Sequence, residues 1–219
     1  MSRAPSAVLF DFDGVIADSR ASHHAAWRLA FGELFGAPLD TQALRSGLAS
    51  SEIARRLASE AGQPARSQQL YDLKLQRLLE ASPPKMLPGV RELMQLCKSR
   101  AIPYGIVSNA PGAFVRRNVA HFELEVPCVL GLDDVSAPKP SGAPYLELAQ
   151  RLGLSPAEHA HAWVLEDSLT GVQAGLAADM RVLGITSQHT AEQLRQAGAS
   201  DAYESCAGVH RSLSDVLRG

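Results

Sequence analysis

Cysteine is scarce in this sequence: the three examples among 219 residues are Cys97, Cys128 and Cys206. Their odd number and wide spacing indicate neither a disulfide framework nor a zinc knuckle, and a reducing cytoplasm is the setting we expect. Long apolar runs are also lacking, both at the start of the sequence, where an export signal would stand, and further along, where a membrane span would. We therefore expect a cytoplasmic protein that is neither exported nor embedded in a membrane.

Runs of like charge are missing as well. The sequence has 21 Lys and Arg residues against 23 Asp and Glu residues, for a formal net charge of −2. Without a polybasic block, nucleic acid and acidic membrane surfaces are not expected as main partners. The short basic pairs Arg55–Arg56 and Arg116–Arg117 are interpreted as solvated faces of helices.

The segment from about residue 20 to residue 80 has the apolar spacing of helices and little strand-like alternation. We expect about four helices in it, ending at Ser82–Pro83–Pro84, because consecutive prolines stop a helix. The predicted buried stripes are Ala25, Ala26, Leu29, Ala30 and Leu34, and then Tyr71, Leu75, Leu78 and Leu79.

Beyond residue 88, helical segments alternate with short apolar runs, which is typical of βα units around a parallel sheet. A similar apolar run stands at residues 8–10, so the sheet takes strands from both sides of the helical segment. We predict an α/β fold with a Rossmann-like parallel sheet. Residues 1–17 and 86–219 would form the core, and residues 18–85 an inserted all-helical domain.

The apolar run at residues 8–10 ends at two carboxylates, Asp11 and Asp13, followed by Gly14. In an extended chain both acids point to the same face, where their charges repel unless a cation lies between them. A hard divalent ion with oxygen ligands is the simplest such cation, and Mg²⁺ is the leading choice. A solvated turn is the alternative, since Asp and Gly are common in turns.

Two other predicted strands end in polar side chains, Ser108–Asn109 and Glu166–Asp167. Ligands bind outside the carboxyl ends of strands in open α/β sheets, so these groups should meet Asp11 and Asp13 in one crevice. Lys139 lies in a loop stiffened by prolines on both sides and could reach the same place. Acids, a lysine and a hydroxyl together suit phosphoryl transfer. Taken singly, the same residues could be helix caps or a surface lysine.

Four short motifs identify a resemblance: DFDGVIADS, VSNA, the lysine of PKP, and EDSLTG with the following GVQAGLAADM. In this order the sequence resembles the haloacid dehalogenase-like hydrolase superfamily, in the branch with a helical cap inserted after the first motif. The branch includes phosphoglycolate phosphatase, sugar phosphatases and β-phosphoglucomutase. The resemblance covers essentially the whole chain.

For the two leading acids, the resemblance implies distinct roles. Asp11 would attack phosphorus and become an aspartyl phosphate. Asp13 would protonate the leaving oxygen and then activate water, while its backbone carbonyl joins the Mg²⁺ shell. The metal and a lysine should keep Asp11 ionised, which leaves Asp13 as the proton carrier.

The remaining motif residues would bind phosphate and metal. By the same resemblance, Ser108 and the backbone around Asn109 would hold the transferring phosphoryl group. Lys139 would neutralise both phosphate and nucleophile, and Glu166 with Asp167 would hold Mg²⁺ directly or through water. Ala143 and Asp179 stand where many relatives carry an acid and a glycine, and we expect only local effects on a helix start and a turn.

Substrate choice in this family is made by the cap. His23 matches a histidine that lies near the hinge and the acid–base aspartate in mutase-like members, although an exposed helix position is the alternative. Ser50 stands where the mutase has an arginine for a second phosphate, which weakens the mutase interpretation. Arg45 and Ser50 are possible substrate contacts. The hinges are expected near residues 17–19 and 82–86.

Two other activities of the family fit the sequence less well. Phosphonoacetaldehyde hydrolase needs a cap lysine for a Schiff base, and Lys74, late in the helical segment, is poorly placed for it. A dehalogenase needs neither metal nor the second acid. We predict a Mg²⁺-dependent phosphatase of a small phosphorylated metabolite, of the sugar, polyol or glycolate phosphate type. The alternatives are a phosphosugar mutase and a phosphoacceptor or binding module without turnover.

Overall fold

A six-stranded parallel sheet forms the centre of the molecule in the computed structural model, which describes residues 4–40, 44 and 48–218. Its strand order is β5-β4-β1-β6-β7-β8, with every neighbouring pair parallel. The strands are β1 (Val8–Phe10), β4 (Tyr104–Val107), β5 (Val129–Leu130), β6 (Trp163–Glu166), β7 (Arg181–Ile185) and β8 (Asp201–Tyr203). The predicted α/β fold is confirmed.

Helices cover both faces of the sheet. Side chains of β1 alternate between the two layers: Val8 and Phe10 enter one apolar cluster and Leu9 enters the other. The first layer contains α4 (Val90–Ser99), α5 (Gly112–His121) and α9 (Cys206–Val216). The second contains α6 (Ala143–Arg151), α7 (Leu169–Ala177) and α8 (Ala191–Gln196). With both faces buried, β1 lies at the centre and its carboxyl end is fixed.

The inserted segment folds as helices around a small apolar cluster of its own, with Trp27, Phe31, Leu57 and Leu70 among its members. Its described residues contain α1 (Arg20–Phe35), α2 (Ser50–Glu60), α3 (Ser67–Glu80) and a short 3-10 helix at Pro64–Arg66. Outside residues 41–43 and 45–47, three α-helices and one 3-10 turn therefore stand where about four helices were expected. No helix within the described ranges is both long and apolar enough to cross a membrane.

The two segments that join the helical cap to the core lie side by side. The strands β2 (Ala17–Asp18) and β3 (Lys85–Met86) pair in antiparallel fashion, and the Leu87 amide donates to the Ile16 carbonyl at 2.8 Å. Parts of the two expected hinge segments thus pair in one two-stranded ribbon, and their role as hinges stays a prediction.

Several local expectations differ from the structure. Leu29, placed in a buried stripe by its spacing, has 58% of its surface exposed, and the buried side of α1 instead carries Trp27 and Phe31. Only Val129 and Leu130 of the apolar run at residues 126–130 pair in the sheet, as β5. Asp179 adopts a left-handed backbone with φ 56°, a conformation that glycine adopts with less strain, so the local effect expected at this turn is on the backbone.

The difference between Leu29 and Leu78 can be tested by stability measurements. Leu78 is fully buried in the core cluster, so Leu78→Ala should lower the free energy of unfolding by about 2–5 kcal/mol. Leu29→Ala should change it by less than about 0.5 kcal/mol, because the side chain is mostly in water. Urea denaturation of both variants measures this, and equal losses would place Leu29 in the core.

Candidate active site

Polar side chains from three neighbouring strands converge at the carboxyl edge of the sheet. The strands β4 and β6 flank β1, so the residues just beyond them, Ser108 and Asp167, lie on either side of Asp11 and Asp13. Together they line a cavity of about 160 Å³ between core and cap. Each of these four residues was predicted from the sequence to lie here.

Lys139 is the cation at the bottom of the cavity. Its buried ammonium donates to Asp11 Oδ1 at 2.6 Å and to Glu166 Oε1 at 2.6 Å, and it lies 3.0 Å from both the Val107 carbonyl and the Tyr145 hydroxyl. Burial acts to lower the pKa of Lys139, but the charges of Asp11 and Glu166 outweigh it and raise the pKa. Lys139 is therefore a permanently charged part of the site.

Asn109 fixes the loop that carries Lys139. Its amide nitrogen donates to the Lys139 carbonyl at 3.2 Å, and its side-chain oxygen accepts from the Lys139 amide at 3.0 Å. A pair of hydrogen bonds to one residue holds that backbone in a single orientation. The side chain of Asn109 thus positions the lysine, a role that its place after β4 did not indicate.

Three carboxylates crowd together beside Lys139. The buried residues are Asp11, Glu166 and Asp167. Each offers one carboxylate oxygen, and these three oxygens lie within 4.8 Å of one another. Burial first, and then the charge of Glu166, raise the pKa of Asp11 well above its usual value and that of Asp167 to about 7. A single ammonium does not balance them. The carboxylate oxygens and the excess negative charge suit a hard divalent cation such as Mg²⁺.

Asp167 is oriented by a loop that follows β7. Its Oδ2 accepts from the Ser187 hydroxyl at 2.7 Å and from the Gln188 amide at 2.6 Å. Gly14 leaves room for this carboxylate, because a Cβ at Gly14 would lie 1.8 Å from Asp167 Oδ2. Gly14 also has φ +79°, so only glycine meets both requirements.

Asp13 has different surroundings from Asp11, because its partners come largely from the cap side. The Ser19 hydroxyl donates to its Oδ1, His23 Nε2 lies 3.2 Å from the same oxygen, and Ser108 Oγ donates to its Oδ2 at 3.1 Å. Burial acts to raise the pKa of Asp13, but the neighbouring His23, together with Ser19 and Lys74, lowers it to about 2. Asp13 is therefore ionised in the ligand-free protein.

The two acids thus titrate in the opposite order to the one expected. The expectation assumed a metal ion beside Asp11, and the charge of such an ion lowers a carboxylate pKa. In the ligand-free chain Lys139 alone opposes the burial of Asp11 and the charges of three neighbouring acids, and it is not sufficient to lower the pKa. In the ligand-free protein the ionised acid of the two is therefore Asp13, and the expected roles, which assume a bound metal, stay a prediction.

Behind His23 lies a lysine that the sequence interpretation discounted. Lys74 is fully buried, with Nζ 3.1 Å from His23 Nδ1 and 3.1 Å from Ser50 Oγ, and it lies over the Trp27 ring. Burial lowers its pKa to about 7, against a smaller opposing effect of Asp13. When Lys74 donates to Nδ1, the ring proton is on Nε2 and faces Asp13.

The predicted cap residues therefore have mixed outcomes. His23 lies against Asp13, so the alternative of an exposed helix position is wrong. Ser50 is buried and lines the cavity, with its hydroxyl engaged by Lys74. Arg45 lies outside the described residues.

Sequence reasoning missed five residues of the site, and most of them had a signal. Ser187 and Gln188 follow β7, so the rule that polar groups collect after strands applies to them. Lys74 occupies the middle of a helical i, i+4 series with the buried Leu70 and Leu78, where an apolar residue is expected. Ser19 and Tyr145 had no distinguishing pattern.

The comparison with protein families agrees with this geometry. The family described as haloacid dehalogenase-like hydrolase matches residues 8–185, which include every motif of the site. The chain belongs to this family. Membership in the haloacid dehalogenase-like hydrolases confirms the resemblance on which the expected enzyme class was based.

Curated relatives of the haloacid dehalogenase-like type include validoxylamine A 7'-phosphate phosphatase of Streptomyces hygroscopicus subsp. limoneus. It is 29% identical over 199 residues, covering 86% of this chain and 89% of that protein. The bifunctional riboflavin kinase/FMN phosphatase of Arabidopsis thaliana is 36% identical over 106 residues, which are 47% of this chain. The match spans 27% of that protein's length.

Among solved structures, a putative β-phosphoglucomutase from Bacteroides vulgatus superposes with a TM-score of 0.80 at 23% identity. The superposition covers 100% of this chain and 92% of that one. At this level of identity the likeness concerns the fold, including the helical cap of the haloacid dehalogenase-like hydrolases.

The buried Lys74 should lower the free energy of unfolding, and a methionine at the same position should not. The folded protein lowers its pKa from 10.5 to about 7, so the charged form is disfavoured by folding. Below pH 7 this penalty is fully present; between pH 7 and 10 the unfolded chain holds the extra proton, so the penalty shrinks by roughly 1.4 kcal/mol per pH unit. Lys74→Met should therefore be more stable than the parent at pH 6, with a gap that narrows by pH 9.

Thermal unfolding across this pH range measures the gap. Lys98→Met is the matched control, because Lys98 is exposed in an ion pair with Glu125, and its effect should not change over the same pH range in this way. A gap for Lys74→Met that is constant with pH would show that the buried amine does not titrate near 7.

Proposed function

We propose that this protein is a Mg²⁺-dependent phosphatase that hydrolyses a small phosphorylated metabolite through an aspartyl phosphate on Asp11. The observation that carries the proposal is the contact of Lys139 with Asp11 at 2.6 Å, inside a cluster of buried acids and beside a second, separately held acid, Asp13. Family membership and the phosphatases among the relatives support a phosphoric monoester hydrolase.

The metal would be held by the carboxylates of Asp11 and Asp167 and the backbone carbonyl of Asp13, with Glu166 near it. When bound, Mg²⁺ supplies positive charge for the phosphate oxygens and for the nucleophile. Glu166 is already engaged by Lys139, Tyr145 and Ser168 at distances of 2.6–3.1 Å. Glu166 therefore orients Lys139 and adds negative charge, and its contact with the metal is expected through water.

Asp11 is the nucleophile in this proposal because its carboxylate lies at the end of the central strand and is aimed into the cavity. Lys139 holds one oxygen of Asp11, which fixes the carboxylate and leaves the other oxygen to attack. Ser108 is placed to donate to a phosphoryl oxygen, since its hydroxyl lies at the cavity wall, where it now donates to Asp13.

Asp13 needs a proton to assist the leaving oxygen, and its pKa of about 2 means that the free protein does not supply one. The substrate brings negative charge close to Asp13 and so raises its pKa. A phosphate monoester, with a second pKa near 6, can also arrive carrying a proton. After the alcohol leaves, the His23 and Ser19 contacts hold Asp13 as the base for water.

The substrate would be a phosphate monoester of a small alcohol, of the sugar, polyol or glycolate type. The cavity of about 160 Å³ suits a molecule of this size, with Trp27, Leu48 and Ile53 on its cap side. Polar side chains on the same side of the cavity include Arg20, His24 and Ser50. The relative validoxylamine A 7'-phosphate phosphatase is named for a phosphorylated compound, which supports this class.

A phosphosugar mutase is the second possibility, favoured by the contact between the cap residue His23 and Asp13. A mutase must retain a bisphosphate and so needs a cation for the second phosphate. Ser50 stands at the corresponding position, and its hydroxyl accepts from Lys74. The two activities are separated by the product, which is free phosphate for a phosphatase and an isomer for a mutase.

Asp11→Asn should abolish phosphate release, because an amide cannot act as the nucleophile. Turnover of the preferred phosphomonoester should fall by at least about a thousandfold. Asp215→Asn is the control, because Asp215 is an exposed acid on α9 that does not line the cavity, and its activity should stay within about threefold. The measurement is phosphate release with and without Mg²⁺.

Retention of Mg²⁺-dependent turnover in Asp11→Asn would contradict the nucleophile assignment. If the unsubstituted protein released a single burst of phosphate and then no more, the result would instead favour a phosphoacceptor or binding module.

Asp167→Asn tests the metal site without relying on activity. Removing one buried carboxylate ligand should weaken Mg²⁺ binding by at least about tenfold in calorimetric titration. Asp133→Asn, a change in an exposed acid far from the cluster, should leave binding unchanged. Equal affinity in both variants would exclude Asp167 as a ligand.

A further inference from the structure

Arg117 connects the core to the cap. It lies on the core helix α5, and its guanidinium donates to the carbonyl of Leu79 and, at 3.0 Å, to the carbonyl of Ala81. These carbonyls belong to the end of the cap helix α3. The interpretation of the pair Arg116–Arg117 as a solvated helix face is therefore wrong for Arg117.

The contact satisfies groups that the helix itself cannot. The last carbonyls of a helix have no partner within it and carry the negative end of the helix dipole, so a guanidinium binds them well. Leu78, in the same turn, is fully buried in the core cluster. The end of α3 is thus fixed to α5 by both charge and apolar packing.

The same face of α5 also contacts the cap helix α1. Phe114, one turn before Arg117, packs edge-to-face on the His23 ring with 5.0 Å between ring centres. His23 in turn contacts Lys74, which lies on α3. Arg117 and Asp13 are therefore joined by two short routes, one through α3 and Lys74 and one through Phe114 and His23.

We propose that Arg117 is a cap-positioning residue, which holds α3 against α5 so that His23 stays beside Asp13 and keeps the Asp13 carboxyl group aimed at the leaving oxygen. The inference rests on the proposed phosphatase function for its chemistry. Without the guanidinium, the end of α3 has two unpaired carbonyls at the joint between cap and core. The cap is then held over Asp13 less firmly, by the packing of Leu78 and by the β2–β3 ribbon.

Two other arginines make the same kind of bond inside a single unit, and they are matched controls. Arg66 donates to the Leu34 carbonyl at 3.0 Å at the end of α1, entirely within the cap. Arg91 donates to the Phe122 and Glu123 carbonyls at 2.5 and 3.2 Å at the end of α5, entirely within the core. All three lose a helix-end contact on truncation, but only Arg117 crosses the joint.

The test compares Arg117→Ala with Arg66→Ala and Arg91→Ala on two kinds of substrate. One is p-nitrophenyl phosphate, whose leaving group departs without a proton. The other is whichever of fructose 1-phosphate, glucose 6-phosphate and glycerol 3-phosphate the parent hydrolyses fastest, because an alkoxide must be protonated as it leaves. The readout is the ratio of the two kcat/KM values, with Mg²⁺ at saturation.

Arg117→Ala should lower kcat/KM for the alkyl ester at least about tenfold further than for p-nitrophenyl phosphate, because only the former needs the proton of Asp13. Arg66→Ala and Arg91→Ala should lower the melting temperature and leave the ratio within about twofold. Arg117→Lys, which keeps a hydrogen-bond donor, should retain part of the activity toward the alkyl ester that Arg117→Ala loses. An unchanged ratio in Arg117→Ala, or an equal change in all three variants, would overturn the proposal.

A structural measurement separates this proposal from the phosphatase function. Amide hydrogen exchange in the first turn of α1 and the last turn of α3 should be faster in Arg117→Ala than in either control. If the parent hydrolyses none of the esters, the phosphatase function fails while the exchange result still decides the role of Arg117. Hydrogen exchange in Arg117→Ala equal to that in the two controls would overturn the cap-positioning role of Arg117.

Discussion

The arrangement of this protein depends on buried negative charge at the end of a parallel sheet. The strands β1 and β6 bring Asp11, Glu166 and Asp167 within a few ångströms of each other, in a place where water cannot screen them. Lys139 is the one buried cation in contact with these acids among the described residues. The surrounding details, including the Asn109 clamp, Gly14 and the Ser187–Gln188 loop, all serve to hold these charges in fixed positions.

Charge also divides the site into two halves. Asp11 belongs to the sheet, and its ionisation depends on Lys139 and on the metal that the acids suit. Asp13 is only two residues away, yet its pKa is set largely by the cap residue His23 with Ser19 and the more distant Lys74. Because the cap supplies the groups that ionise Asp13, cap position and acid–base chemistry are linked. A displaced cap would leave the nucleophile intact and change the proton carrier.

The sequence was sufficient for the parts of the site that local rules govern. Apolar runs that end in polar residues mark strand ends, and parallel strands bring those ends together, so Asp11, Ser108 and Asp167 could be placed without coordinates. The four motifs and their order indicated the family. Arg117 could not be placed in this way, because nothing in the residues next to it distinguishes a solvated cation from one that binds another helix. For Lys74 the i, i+4 spacing with Leu70 and Leu78 indicated burial but not the contact with His23.

The apolar stripes predicted on the helices show the same limit of prediction from local sequence. Leu29 was assigned to the core because spacing identifies a face of a helix but not what packs against it. The buried face of α1 is the one that packs against α3, and α3 begins more than thirty residues after α1 ends. Tertiary partners distant in sequence decide which of two similar stripes is buried.

In the ligand-free protein, burial of the charged groups of the site lowers the free energy of unfolding, and the loss depends on pH. Between pH 4 and 7 the folded chain keeps a proton on Asp167 that the unfolded chain has released, so this carboxylate lowers stability as pH rises. The buried ammonium of Lys74 lowers stability at neutral pH and below. A divalent cation would remove the first penalty, and a phosphate group near Asp13 and Lys74 would reduce the second. The binding energy of metal and substrate is then partly the relief of electrostatic strain that the fold maintains in their absence.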